Sequence, residues 1–233
     1  MHILYLYPNL LNLHGDRANI LAFIRIGKLM GVNVTYDIID DFEKKIDFDK
    51  YDLVMISPGE LITIEEILKY LFKQKKDILS YLDRKKYIIC IGTSASLFSN
   101  TTKRCNGTSF KGLGIGNFDC IERDKVLGDD IIFNFDKHKV VGSQIQMIDI
   151  VAKEDNTLGD IIYGYGNYGN GREGIRYNNL IITNTLGPLF VKNPWLVEDI
   201  IKDITGKNKY KKIDYSLEEK SMEEIILFNQ TKS

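Results

Sequence analysis

Histidine is scarce: His2, His14 and His138 are the only three in 233 residues. Any reaction that needs an imidazole base has those three to draw on. Cysteine is equally sparse, and Cys90, Cys105 and Cys120 form neither a C-x-x-C pair nor an even set. That spacing argues against a zinc knuckle and against a disulfide framework. No apolar run reaches the roughly 18 residues that a membrane span needs. The opening MHILYLYP has no charged leader and no small-residue cleavage site, so a cytoplasmic location is expected. Charge of one sign is missing too, with 31 Lys and Arg against 32 Asp and Glu, which gives no pointer to nucleic acid or to an anionic membrane surface. There is no internal repeat and no low-complexity linker.

What is present is enough apolar material, 44% of the residues, for a core of normal size in one domain spanning 1–233, with residues from about 205 onward as a helical appendage. HILYLY at 2–7 reads as a buried strand ending at Pro8. Apolar residues at helical spacing between Arg17 and Met30 predict a helix stopped by Gly31. Strands are expected over Val32–Ile39, Tyr51–Ile56 and Tyr87–Cys90. One helix is expected from Thr63 through Leu79 and another from about Thr93. Between strands two and three, only Phe42, Ile46 and Phe48 can pack. This alternation predicts an α/β fold with a mainly parallel sheet flanked by helices. Beyond Gly112 the pattern turns to strands, so the C-terminal half is more β-rich, and helices over about 194–204 and 217–228 close the chain.

In open α/β sheets ligands gather at the carboxyl ends of the strands, which directs attention to Ile88-Ile89-Cys90-Ile91-Gly92. A sharp strand-to-helix turn there has the form of a nucleophile elbow, with Cys90 as candidate nucleophile and following amides available to an oxyanion. The competing reading is a small buried hydrophobe at the end of an apolar strand. Gly164, Gly166, Gly169 and Gly171 lie between strands with no helix following, so they predict a hairpin with glycines at positive φ rather than a dinucleotide site.

The stretch 160–194, DIIYGYGNYGNGREGIRYNNLIITNTLGPLFVKNP, resembles Y-G-Y-G-N-N…E-G…Y-K-N…G-T-Y-L-H-G-P…K-N-P. That pattern belongs to the GatD type of glutaminase subunit of the lipid II amidotransferases, within the class I, triad-type glutamine amidotransferases of the cobyric acid synthase branch. The resemblance covers nearly the whole chain and implies that fold. It also implies a general-base His before Gly187-Pro188, and there this chain has Leu186. The family's elbow reads C-G-G-Y-Q. Placed on Cys90 it retains Gly92 and replaces the rest with Ile91, Thr93 and Ser94, whereas a shift by one puts Ile91 in the nucleophile's place. The family's G-G-G-x-D-x-E-Q has become Ser57-Pro58-Gly59-Glu60-Leu61-Ile62-Thr63-Ile64, its V-G-F-E-N-H-G-G-R the run from Val141 to Asp149, and Lys125 stands where a basic residue holds the glutamine carboxylate. Gly59, Gly92 and Lys125 are therefore the expected substrate-binding positions. Departures fall at functional positions, while Gly112-Leu113-Gly114, Glu173-Gly174 and Lys192-Asn193-Pro194 persist.

A cysteine amidase needs an imidazole within hydrogen-bond reach of its thiol. His14 lies in LNLHGDRANI, which is similar to the family's L-N-L-Y-x-D-x-x-N-I, where no base sits, and His138 is expected in a solvated turn. The resemblance thus implies a catalytically degenerate amidotransferase-like subunit, a binding or scaffold component beside a Mur-ligase-like partner that amidates the D-glutamate of lipid II. The alternatives are an active glutaminase in which Cys90 attacks L-glutamine, or a subunit of a cobyrinate-type amidation. No metal or cofactor is implied for this chain. The space at Cys90 is expected to be partly filled by Leu186 and dry.

Overall fold

The computed structural model describes residues 1–153 and 155–231. Glu154, Lys232 and Ser233 lie outside the described residues, so the expected appendage is followed as far as Thr231. Its first third alternates strand and helix: β1 (His2–Leu6), α1 (Ala18–Met30), β2 (Thr35–Ile39), β3 (Leu53–Ile56), α2 (Leu61–Leu71), α3 (Lys75–Asp83) and β4 (Tyr87–Ile91). Burial of Ile20, Phe23, Ile26 and Met30 gives α1 its inner face, and Gly31, at φ 70°, ends it in the left-handed conformation that glycine adopts without strain. The helix expected as one piece from Thr63 is two, parted by a 3-10 turn at Phe72–Gln74. Between β2 and β3, Ile46 and Phe48 are buried and Phe42 packs against the same cluster.

The remaining elements are β5 (Thr101–Lys103), β6 (Ser109–Lys111), β7 (Phe118–Phe135), β8 (His138–Ala152), β9 (Gly159–Tyr163), β10 (Arg172–Glu173), β11 (Ile175–Tyr177), β12 (Leu180–Thr183), β13 (Thr185–Leu186), α4 (Leu189–Lys192), α5 (Pro194–Thr205) and α6 (Ser216–Gln230). The main sheet runs β11-β12-β4-β3-β1-β2 and is parallel except at β11. A second sheet is dominated by the long antiparallel pair β7–β8, which β13 extends through Thr185 and Leu186. The glycine-rich stretch joins β9 to β10, with Gly164, Gly166, Gly169 and Gly171 all at positive φ. Among the described residues no helix is long and apolar enough to cross a membrane.

Successive side chains of a strand point to opposite faces, so the main sheet separates two apolar cores. Leu4, Leu6, Val54, Ile56, Ile88, Cys90 and Ile182 face α2 and α3. Ile3, Tyr5, Leu53, Met55, Ile89, Ile91 and Ile181 face α1 and α5. The chain runs outward from β1 to β2 and then returns to β3 on the other flank of β1. The carboxyl ends of β1 and β3 therefore border the switch-point crevice where ligands of such sheets collect.

Candidate active site at the carboxyl edge of the sheet

β-branched residues carry β4 as far as Ile91, which is still extended at φ −118° and ψ 136°. Gly92 then turns at φ 62°, and a six-residue 3-10 helix, Gly92–Leu97, takes the place of the α-helix expected from Thr93. Cys90 lies inside the strand, opposite Ile56 and Ile182, and is fully buried. Burial pushes its thiol well above the ordinary range, and the nearby Cys120 and Asp16 add to the rise. Leu186, 1% exposed, packs in the other core with Ile89, Ile91 and Phe190. The expectation that Leu186 fills the space at Cys90 is thus corrected, because the two side chains belong to opposite faces of the sheet.

Two loops meet at this edge, Ser57-Pro58-Gly59 after β3 and Gly92-Thr93-Ser94 after β4. The Gly59 N–H donates to Thr93 Oγ1 at 3.0 Å, and the same hydroxyl donates to the Gly59 carbonyl at 2.6 Å. Ser94 Oγ donates to the Ser57 carbonyl at 2.5 Å. A Cβ on Gly92 would lie 3.0 Å from Pro58 Cβ. One on Gly59 would lie 2.3 Å from Leu11 Cδ2, so a side chain there would displace the fully buried Leu11, which fills the crevice side of that loop.

The imidazoles of His2 and His138 are engaged elsewhere. His2 Nδ1 pairs with Thr35 Oγ1 at 2.7 Å and its Nε2 with Asp37 at 3.1 Å. His138, expected in a solvated turn, is half-buried at the start of β8 and pairs with Asp199 at 2.8 Å. His14 sits in a 3-10 turn at φ 66°.

Asp16, 1% exposed, is a buried acid just before α1. Its Oδ1 accepts from Asn19 Nδ2 at 2.7 Å, and its Oδ2 has no hydrogen-bond partner. Burial pushes this carboxyl up to about 7, against the opposing pull of the neighbouring Ser57 and Asn19 side chains. Ser57 Oγ is itself shared with Tyr5 OH at 2.9 Å. Asn19 Oδ1 accepts from the Phe190 N–H at 2.8 Å and so ties α1 to the segment that follows Leu186. Ahead of Leu186, buried Glu173 accepts through Oε1 from Thr183 Oγ1, the Asn184 N–H and Thr185 Oγ1 at 2.6, 3.0 and 3.2 Å.

Lys125 is exposed, in the segment between Glu122 and Leu127 where the β7–β8 register shifts. The basic side chain directed into the β8 face is Arg123, which donates through Nη1 to both Asp149 oxygens at 2.8 and 3.0 Å and lies over the Tyr165 ring. Asp149 accepts in turn from Gln146 Nε2, Gln146 Oε1 accepts from Gln144 Nε2, and Gln144 Oε1 accepts from the Tyr165 N–H. Sequence reasoning missed this buried polar chain; its signal there is the alternation of Gln144 and Gln146 with Ile145 and Met147, followed by Asp149 among Ile148 and Ile150.

The fold is α/β, a mainly parallel main sheet flanked by helices with a second, antiparallel sheet beside it. The structure is similar to a crystal structure of a glutamine amidotransferase (TM-score 0.58, 12% identity, 87% of this chain and 98% of that one). It is also similar to a glutamine amidotransferase from Thermotoga maritima (TM-score 0.52, 12% identity, 99% and 94%). No family model matches the sequence. In sequence the chain resembles GatD, named as a subunit of the glutamine-hydrolysing lipid II isoglutaminyl synthase. It is 27% identical to the Streptococcus pneumoniae protein over 218 residues, covering 90% of this chain and 82% of that one. To the Staphylococcus aureus protein it is 28% identical over 197 residues, covering 83% and 81%.

Proposed function

We propose that this GatD-like chain is a cytoplasmic, non-hydrolysing binding or scaffold subunit of an amidating complex. One observation carries the reading: Leu186, at the position where the family pattern has its base, is a buried side chain in an apolar core and can accept no proton. Two further features support it. Cys90, the one thiol at the carboxyl end of β4, is buried with its pKa raised, the opposite of what activates a thiol nucleophile. The expected carboxylate anchor Lys125 is exposed, while Arg123 is neutralised by Asp149.

The curated relatives are subunits of lipid II isoglutaminyl synthase, which supports a partner subunit for this chain as well. We assign that partner the Mur-ligase-like role of activating the D-glutamate carboxylate of lipid II with ATP. Ammonia release from L-glutamine by the purified chain, alone and mixed with the ligase subunit, is the test. No release above a protein-free control is expected in either case. Release that disappears in Cys90→Ala would overturn the proposal and establish a working glutaminase.

A further inference from the structure

We infer that the apex of the turn after β4, where an elbow presents its nucleophile, is Gly92 rather than Cys90 or Ile91, and that Pro58, Thr93 and Ser94 have sealed it. A nucleophile elbow exposes its apex residue through a sharp, strained strand-to-helix turn. From Tyr87 to Phe98 the only residue at positive φ is Gly92. The strand fixes where the two preceding side chains go: Cys90 into the α2–α3 core and Ile91 into the α1–α5 core, each with no exposure. Neither side chain reaches the carboxyl edge. A side chain on Gly92 would, and it would meet Pro58.

The loops on either side are joined so that the chemistry of an elbow is spent internally. An oxyanion site needs free N–H donors aimed at one point. Here the Gly59 N–H is taken by Thr93 Oγ1, and Pro58 has no N–H to give. Thr93 also donates back to the Gly59 carbonyl, and Ser94 donates to the Ser57 carbonyl. On this register Thr93 and Ser94 replace the family's two glycines after the nucleophile, and they are the residues that close the turn. On this assignment the chain has no side chain at all at the nucleophile position, and Cys90 is packing.

The inference depends on the proposed function only in treating the turn as an amidotransferase elbow, and its test reads thiol geometry rather than ammonia. The folded full-length chain is treated with iodoacetamide, and each cysteine is scored by peptide mass. Cys105, which is exposed, is expected to react, while Cys90 reacts only after denaturation. In Pro58→Gly/Gly92→Cys the new thiol is expected to label natively about tenfold faster than Cys90 or more, whereas the thiol of Ile91→Cys stays protected. Native labelling of Cys90 at the Cys105 rate would overturn the assignment. So would a folded Pro58→Gly/Gly92→Cys variant whose new thiol is protected. Should that double variant fail to fold, the wild-type arm decides, because an apex thiol has to label in the native state.

Discussion

Asp16 is a carboxyl held where its charge is poorly solvated, and this fixes the sign of a pH effect. Its native pKa is raised to about 7, above the ordinary carboxylate value of 3.8 that the unfolded chain keeps. The stabilising contribution of its proton is therefore fully present below about pH 4 and is lost as pH rises through 7. Urea unfolding of the wild type and Asp16→Asn at pH 5 and pH 8 isolates that contribution from other groups. The variant is expected to gain on the order of 2 kcal/mol relative to wild type between the two conditions, since a tenfold change in proton affinity is worth about 1.4 kcal/mol. Leu186→His tests the other key position. An imidazole placed in the apolar core that buries Leu186 is taken out of water among hydrocarbon side chains, so a loss of about 2–4 kcal/mol and no ammonia release are expected from unfolding curves and the glutaminase assay. At this scale the absence of a histidine at 186 was legible in the sequence because it needed only a motif. Arg123 was not legible, because the register shift between Glu122 and Leu127 decides which basic side chain turns inward, and that shift has no signature in composition.

Among elements, the strands and helices of the parallel half could be read from period and punctuation, because buried parallel strands are continuous apolar runs. The segment after β4 could not. Thr93, Ser94 and Ser96 are compatible with an α-helix by spacing, yet the hydroxyls of Thr93 and Ser94 bond backbone carbonyls across the edge, and hydroxyl-to-backbone bonds compete with helical ones. The 3-10 geometry of Gly92–Leu97 follows from that tertiary demand. Thr93→Val, nearly equal in volume, removes the hydroxyl that serves both the N–H and the C=O of Gly59. A destabilisation of about 2 kcal/mol is expected from urea unfolding, since a buried backbone donor loses its partner. Thr93→Ser retains the hydroxyl and is expected to lose less than half as much, an ordering that a purely steric role for Thr93 would reverse.

Taken whole, the molecule is two sheets tied at β13, with α6 laid across one side of the assembly. The two apolar cores enclose the central strands, whereas along α6 the only buried residue is Asn229. That helix is held near its ends, by Glu218 to Arg25 of α1 at 3.0 Å and by Asn229 Nδ2 to Asp130 of β7 at 2.9 Å. Around the first of these contacts Leu217 and Met222 of α6 border a groove of about 470 Å³ with Leu21 and Ile26 of α1 and Val191 of α4. A packed interior leaves no such gap, so α6 contributes little apolar burial and its opening should be uncoupled from unfolding of the sheet. Native-state hydrogen exchange is expected to release the amides of residues 216–230 at denaturant concentrations that leave β1, β3, β4 and β12 fully protected. Ending the chain at Tyr215, which keeps the buried Ile213 and the bonds of Tyr210 and Tyr215 to Glu198, is expected to preserve the far-UV spectrum of the remainder and to shift its melting temperature by only a few degrees, about the effect of 1 kcal/mol. Exchange of α6 together with the central sheet would instead make it an integral part of the fold, and the truncated chain would then not fold.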